Sequence, residues 1–149
     1  MTELTFRQFL PIEKEECWEF FSNPENLNKI TPTDMAFEIL SDKLDKMYPG
    51  QIIAYKVKLL PLVKVKWVTE ITHVIEGKYF VDEQRFGPYK FWHHEHFFNE
   101  VEGGIEVVDK VSYIVPQGLL GLLINVLFIK NKINSIFRFR SKILTEMFQ

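Results

Sequence analysis

The longest regular pattern in the chain is an amphipathic stretch over residues 117–148, about 32 residues without an internal proline. As a helix rising 1.5 Å per residue it would extend roughly 48 Å. At about 100° per residue, its apolar side chains share one arc. They are Leu122, Val126, Ile129, Ile133, Ile136, Phe137, Ile143, Leu144 and Met147. Arg140 lies near the middle of this arc. Such a helix must bury its apolar face against another layer of structure.

Extended patterns dominate the rest of the chain and predict that layer. The predicted strands are one that ends before Pro11 and six over residues 35–41, 51–60, 63–74, 79–86, 90–101 and 105–115. Between the first two strands, acidic residues and the Asn23-Pro24 pair predict two short helices. Short turns imply antiparallel neighbours. We therefore predict one α+β domain over residues 1–149, with a curved seven-stranded antiparallel sheet around a long C-terminal helix.

Bulk composition narrows the classes of partner. The net charge of −2 gives no broad attraction to nucleic acid, so no nucleic-acid partner is expected. The apolar run over residues 119–129 is well short of the ~20 residues that span a bilayer, so no stable membrane insertion is expected. Cys17 has no second cysteine to pair with, and the first ten residues lack a signal-peptide pattern. We expect a cytoplasmic protein, whose fourteen phenylalanines favour a bulky apolar interior or a lined pocket.

Alternation along the strands predicts which side chains face the helix. The predicted inner sets of two strands are Phe80, Asp82, Gln84 and Phe86, and Val107, Asp109, Val111, Tyr113 and Val115. In the strand over residues 63–74, Trp67, Thr69, Ile71 and His73 share one face. The strand over residues 90–101 has two alternating sets, Trp92, His94, His96 and Phe98 against Phe91, His93, Glu95 and Phe97. Both sets contain aromatic residues, so alternation alone leaves the inner face of this strand open.

Several motifs carry a family resemblance that covers nearly the whole chain. They are Trp67, Phe80-Val81-Asp82-Glu83-Gln84, Gly87-Pro88-Tyr89, Trp92-His93-His94-Glu95-His96-Phe97-Phe98, Asp109-Lys110-Val111-Ser112-Tyr113, Pro116-Gln117-Gly118, Gly121 and Phe137-Arg138-Phe139-Arg140. With these motifs the chain resembles the START-like or SRPBCC superfamily, and within it a bacterial group of ligand-binding SRPBCC proteins. The resemblance implies the helix-grip fold with a cavity, and it favours an inward orientation for Trp92, His94, His96 and Phe98.

We therefore expect a small hydrophobic or amphipathic ligand, lipid- or polyketide-like, between the sheet and the terminal helix. The predicted ligand-binding residues are Trp67, Asp82, Gln84, Trp92, His94, His96, Phe98, Asp109, Tyr113, Ile133, Phe137 and Arg140. Because a buried charge needs a partner, Arg140 is expected to pair with Asp82 or Asp109. A structural alternative is that these polar groups form a closed network that braces the helix against the sheet.

Two other functional classes stay open at this point. A cyclase- or dehydratase-type enzyme would use His94, His96 and Asp109 as acid and base groups, and the enzyme class is less favoured than binding. A partner-binding module, or a homodimer, would use Phe91 and Phe97 on the outer face. His94 and His96 with Asp109 have a spacing that a metal accepts, but two histidines are weak evidence. We expect no metal and no cofactor.

Overall fold

The computed structural model describes residues 1–42, 44–60, 62–116 and 122–149, without the side chains of residues 60 and 122–126. Its strands are β1 (Thr2–Leu10), β2 (Glu38–Ile39), β3 (Gln51–Leu60), β4 (Val63–Ile75), β5 (Tyr79–Phe86), β6 (Phe91–Val101) and β7 (Gly104–Ile114). The α-helices are α1 (Lys14–Phe21) and α2 (Leu122–Phe148), and 3-10 helices cover Pro24–Asn28 and Thr33–Met35. The predicted start of the long helix at residue 117 lies outside the described residues.

The seven strands form one antiparallel sheet in the order β1-β7-β6-β5-β4-β3-β2. The first and last strands are neighbours, with Leu4 opposite Val111. The α+β prediction is therefore confirmed. The second predicted strand is much shorter than expected, because a 3-10 helix occupies Thr33–Met35 and only Glu38–Ile39 pairs with β3. The second predicted helix is also a 3-10 helix, and Asn23 caps it by accepting a hydrogen bond from the backbone N–H of Glu25.

The long helix α2 packs along the concave face of the sheet. Ile133, Phe137, Arg140 and Leu144 are buried along one side of it. Phe137 stacks on Phe6 of β1 with ring centroids 4.0 Å apart. Met147 is 44% exposed, so its predicted place in the buried arc is wrong. Phe148, one residue further on, instead packs edge-on against Phe20 and takes the buried place at this end of the helix.

Two irregularities in the β4–β5 pairing change which side chains face inward. The register shifts between Ile71 and His73, and again between Val68 and Thr69. A β-bulge of this kind inverts the alternation of the strand that carries it. His73 and the 63%-exposed Phe86 consequently face outward. The predicted inner orientation of Phe86 and the predicted shared face of His73 and Trp67 are therefore wrong, because strict alternation does not survive a bulge.

Among the residues that the structure describes, every helix lacks either the length or the apolar character needed to span a bilayer.

Candidate functional site

A cavity of about 170 Å³ lies between the concave face of the sheet, α2 and the short helices that follow β1. Eight of the predicted ligand-binding residues line it: Trp67, Asp82, Trp92, His94, His96, Ile133, Phe137 and Arg140. Most of the remaining wall is apolar or aromatic, and it includes Met35, Val57, Ile71 and Phe80. The tertiary fold thus brings two thirds of the predicted set to one cavity. Their role in binding stays a prediction.

Four predicted site residues have other places in the fold. Gln84 closes the β5–β6 connection, where its side chain accepts from the backbone N–H of Tyr89 at 3.1 Å and donates to the carbonyl of Tyr89 at 2.7 Å. Phe98 packs edge-on against Trp18 in the core under α1. Tyr113 is 1% exposed in the core beside Ile133 and Phe137. Asp109, the fourth, is 6% exposed and is separated from the cavity by two histidines.

Two aspartates and two histidines form a compact cluster, which we call the His–Asp cluster (Asp82, His94, His96 and Asp109). The Oδ2 atom of Asp82 lies 2.8 Å from Nε2 of His96 and 3.2 Å from Nδ1 of His94. Across the imidazole rings, Oδ1 of Asp109 lies 3.0 Å from Nε2 of His94 and 2.9 Å from Nδ1 of His96. The ring centroids are 3.7 Å apart. Each histidine therefore lies between the same two carboxylates.

Strand register produces this arrangement. Asp82 of β5 is directly opposite His94 of β6, and His96 is directly opposite Asp109 of β7. Directly opposed residues of an antiparallel pair point to the same face. Only the His94–Asp109 and His96–Asp82 contacts are aligned as hydrogen bonds. Nδ1 of His96 is close to Asp109 but has no aligned hydrogen-bond partner among the described residues.

The electrostatics of the His–Asp cluster keep its acids ionised. Burial raises the pKa of Asp82, but the charge of His94 and the close polar contacts with both histidines outweigh burial and hold this pKa well below its usual range. Asp109 is affected in the same way, and its pKa is also well below its usual range. Burial lowers the pKa of His94, but the charge of Asp82 and the close polar contacts with Asp109 and Asp82 raise it to about 9.

Arg140 is the remaining charged group of the cavity wall. The residue is 8% exposed, and its ion pair with Asp109 is long, with Nη1 and Oδ1 3.9 Å apart. The predicted pairing partner is therefore Asp109. Its Nε atom has no hydrogen-bond partner among the described residues, and its guanidinium carbon lies 4.7 Å from the ring centroid of Phe137. Arg140 thus brings a buried positive charge with spare donors to the cavity.

The predicted ligand-binding set omits several polar or aromatic residues of the lining, among them Tyr55, Thr69 and Tyr89. The hydroxyl groups of Tyr55 and Thr69 are 2.9 Å apart. Alternation along β3 would have found Tyr55, because it lies directly opposite Trp67 on the inner face. Tyr89 lies in the connection between β5 and β6, where no periodicity applies. Its ring packs against Trp67 and Trp92.

The predicted outer pair is only partly exposed. Phe91 is 40% exposed, whereas Phe97 is half-buried, stacked on Tyr79 and covered by the amino group of Lys110 at 5.0 Å. A contact patch built on these two residues would therefore be small. The metal-ligand geometry also differs from the sequence expectation. Asp82, rather than Asp109, is grouped with His94 and His96, with one ligand atom from each residue within 4.8 Å of the others.

Comparisons with solved structures agree on the fold. TTHA0849 from Thermus thermophilus matches with a TM-score of 0.72 and 14% identity, over 99% of this chain and 100% of its own. CV1439 from Chromobacterium violaceum matches with a TM-score of 0.75 and 12% identity, over 99% and 98%. Ara h 8.0201 matches with a TM-score of 0.63 and 12% identity, over 97% and 98%.

These similarities show the helix-grip fold. No protein-family model matches the sequence, and no curated protein sequence matches it.

Proposed function

We propose that this protein binds a small amphipathic molecule whose anionic head group contacts Arg140 and whose apolar body occupies the aromatic part of the cavity. The observation that carries the proposal is that Arg140 is buried without a close ion-pair partner among the described residues. A guanidinium taken out of water needs hydrogen bonds to offset the loss of hydration. Its only ion pair among the described residues is 3.9 Å long. A ligand carboxylate would provide the paired acceptors that a guanidinium recognises best.

The opposite part of the cavity suits an apolar body. Trp67 and Trp92 meet edge-on with ring centroids 5.2 Å apart, and Tyr89 packs against both. Met35 and Val57 continue this wall. A cavity of about 170 Å³ is smaller than the ~300 Å³ at the low end of typical ligand pockets, which favours a small ligand. Aromatic walls with a few convergent polar groups are the usual composition of such pockets.

The proposal is tested by competition between two ligands that differ only in the head group. Octanoate and 1-octanol would each be titrated against a cavity-bound fluorescent probe, with EDTA present. We expect the wild-type protein to prefer octanoate and Arg140→Met to lose that preference. A charged hydrogen bond contributes roughly 1.5–3 kcal/mol, so the loss should be on the order of 10- to 100-fold. Arg138→Met is the matched control, since Arg138 is exposed on the same helix. Equal affinity of wild type for both compounds would contradict the proposal.

The family resemblance supports the same proposal at a finer level. The motif residues between Asp82 and Phe98 are those of the bacterial ligand-binding SRPBCC group, and we propose that the chain is a member of it. The single domain, the absence of a nucleic-acid partner and a cytoplasmic location belong to this proposal. The length of 149 residues supports the single domain, and the net charge of −2 and the lone Cys17 support the other two.

A second candidate function is acid catalysis, and the His94–Asp109 hydrogen bond is the observation that favours it. His94 lines the cavity while Asp109 orients it from behind, as a catalytic histidine is oriented by a carboxylate. A pKa of about 9 suits a proton donor at neutral pH rather than a base. Turnover of polyketide-like ketones that His94→Gln abolishes, with octanoate binding retained, would favour this enzyme over the binding protein. Absence of turnover by wild type would remove the candidate.

A further inference from the structure

The cavity side of the His–Asp cluster has the spacing of a metal site. Asp82 Oδ2 is 3.2 Å from Nδ1 of His94 and 2.8 Å from Nε2 of His96. Imidazole nitrogens and carboxylate oxygens bind Zn²⁺ at about 2.0–2.2 Å, so two ligand atoms on one ion lie roughly 3 Å apart. Asp82 thus already stands at this ligand-to-ligand distance from both histidine nitrogens, and all three ligand atoms lie within 4.8 Å of one another. All three line the cavity.

The arrangement behind these three residues has the form that supports metal ligands. Asp109 lies 3.0 Å from Nε2 of His94 and 2.9 Å from Nδ1 of His96, which are the two ring nitrogens that point away from Asp82. Metal-ligating histidines usually donate their second N–H to a carboxylate, which sets the tautomer and the ring orientation. Here one carboxylate lies at both second nitrogens: Asp109 is hydrogen-bonded to Nε2 of His94, and it is 2.9 Å from Nδ1 of His96 without the alignment of a hydrogen bond. Asp109 is absent from the cavity lining, so the two layers are distinct.

The charge balance leaves room for a cation at this position. Two carboxylates are buried together, and Arg140, 3.9 Å from Asp109, offsets the charge of one of them. A divalent ion between Asp82 and the two histidines would offset the charge of Asp82. The alternative is a closed network without metal, in which the histidines carry the protons. That alternative predicts no specific uptake of metal, so the two are separable.

We infer that Asp82, His94 and His96 form a binding site for a divalent transition-metal ion, with Asp109 as the carboxylate that orients both histidines. Two histidines and one carboxylate select ions such as Zn²⁺, Co²⁺ or Fe²⁺ over Ca²⁺ and Mg²⁺, which prefer all-oxygen sites. Three protein ligands leave at least one coordination position, and it would face the cavity. The inference rests on the geometry of the cluster and not on the proposed anionic ligand.

The test uses Co²⁺ and Zn²⁺ alone, added to the full chain after removal of any affinity tag and treatment with a chelator. We expect one equivalent of Co²⁺ to give visible d–d absorption bands and to raise the melting temperature, and Zn²⁺ to displace it. If the wild-type protein shows neither the absorption bands nor the rise in melting temperature, the inference is overturned, whatever the variants do. Octanoate binding in EDTA tests the proposed function separately, so the two failures are distinguishable.

Variants locate the ion. His94→Gln and His96→Gln should abolish the Co²⁺ bands, and Asp109→Asn should weaken affinity about 10- to 100-fold. The matched controls are His93→Gln and His73→Gln, since these are the other two histidines of the chain and neither lines the cavity. Circular dichroism identifies any variant that fails to fold. Bands that persist in folded His94→Gln and His96→Gln, or vanish in His93→Gln, would overturn the assignment.

A different observation concerns the outer face of the β3–β4 hairpin. Lys56 is directly opposite Lys66, and Lys58 is directly opposite Lys64, so two like-charged pairs stand side by side. Like charges in this position destabilise a sheet. None of the four takes part in an ion pair with another described residue. An anionic surface would neutralise the charges of these four lysines, which we call the lysine ladder, and would thereby stabilise the hairpin.

Apolar residues stand beside this ladder, between β3 and β4. Leu62 is 97% exposed, with a positive φ of 67° that is unusual for leucine, and Val63 is 45% exposed. On the inner side of the same hairpin, Val57 and Leu59 line the cavity. An exposed apolar residue flanked by lysines matches the boundary between lipid headgroups and acyl chains.

We propose that Leu62 and the four lysines dock on the surface of an anionic membrane. Co-sedimentation with vesicles of phosphatidylcholine, with and without phosphatidylglycerol, tests this. We expect the protein to bind the anionic vesicles at low salt. Binding should fall at least ~10-fold in Leu62→Asp and in the double variant Lys58→Glu/Lys64→Glu. Ile75→Asp and Lys142→Glu are controls, since Ile75 is exposed at the far end of β4 and Lys142 on α2.

Absence of vesicle binding, or binding that both hairpin variants retain, would overturn the docking proposal. The proposal would also be overturned if the lysine variant lost retention on heparin or DNA but kept its binding to vesicles. That result would assign the lysines to a different polyanion.

Discussion

Two charged clusters occupy opposite faces of the same strands. The inner one is the His–Asp cluster with Arg140. The outer one consists of Glu70, Glu83, Arg85 and His93. The outer contacts include Arg85–Glu83 at 3.1 Å and His93–Glu83 at 2.7 Å, with side chains that are between about a quarter and a half exposed. The inner side chains are at most 16% exposed.

The difference between the clusters shows that residue type and distance do not determine what an ion pair contributes. Water and salt screen the outer cluster, so each pair is worth little. In the inner cluster the same residue types have lost their hydration, so each charge depends on its partner. Removing one partner should therefore be costly inside and nearly neutral outside. Variants on the two faces test this difference, from the largest expected effect to the smallest.

Asp109→Asn should cause the largest loss. It leaves two histidines and Arg140 without the carboxylate that they share, and breaking such a buried pair costs about 3–5 kcal/mol. Urea unfolding in EDTA measures this loss. Glu83→Gln is the matched outer variant and should cost less than about 1 kcal/mol. The comparison fails if the two losses are equal.

Alkaline pH should weaken the metal-free protein through His94. Its folded-state pKa of about 9 exceeds the unfolded value of about 6.5, so its contribution is complete below the unfolded pKa and is lost as pH rises through 9. The decline should be on the order of 3 kcal/mol. Unfolding curves between these pH values should show the decline in wild type and in His93→Gln. A His94→Gln variant that declines equally would assign the effect elsewhere.

Tyr55→Phe tests whether burial or charge sets the stability loss of a variant on the inner face. It removes the 2.9 Å hydrogen bond with Thr69, a contact between neutral groups. We expect a loss of about 1 kcal/mol, which is typical of a neutral hydrogen bond. Thermal unfolding of this variant beside Asp109→Asn measures the difference. Losses of similar size would mean that burial alone sets the cost.

Arg85→Ala should have the smallest effect. It removes the ion pairs with Glu70 and Glu83, and we expect a change within about 1 kcal/mol that disappears at high salt. Unfolding at two salt concentrations checks both statements. A larger loss that persists at high salt would show that the outer face is not screened as the comparison assumes.

Much of the fold was predictable from particular residues. Val107, Val111 and Tyr113 belong to one predicted inner set, and each is buried as expected. The bulges in β4–β5 could not be predicted, since an extra residue leaves no mark in a run of ordinary side chains. The shortening of the predicted strand over residues 35–41 to Glu38–Ile39, after a 3-10 helix over Thr33–Met35, could not be predicted either. The residues of that segment have weak propensities that tertiary contacts override.

The order of apolar and polar residues by itself determined that a long helix would pack on a curved antiparallel sheet and that Arg140 would be buried with acids. Periodicity carries that information because each helix and strand must bury one face. Only the tertiary structure decided that Asp82 and Asp109 would lie on opposite sides of the same two histidines. That arrangement depends on the register between three strands, and register follows from the packing of the whole sheet against α2.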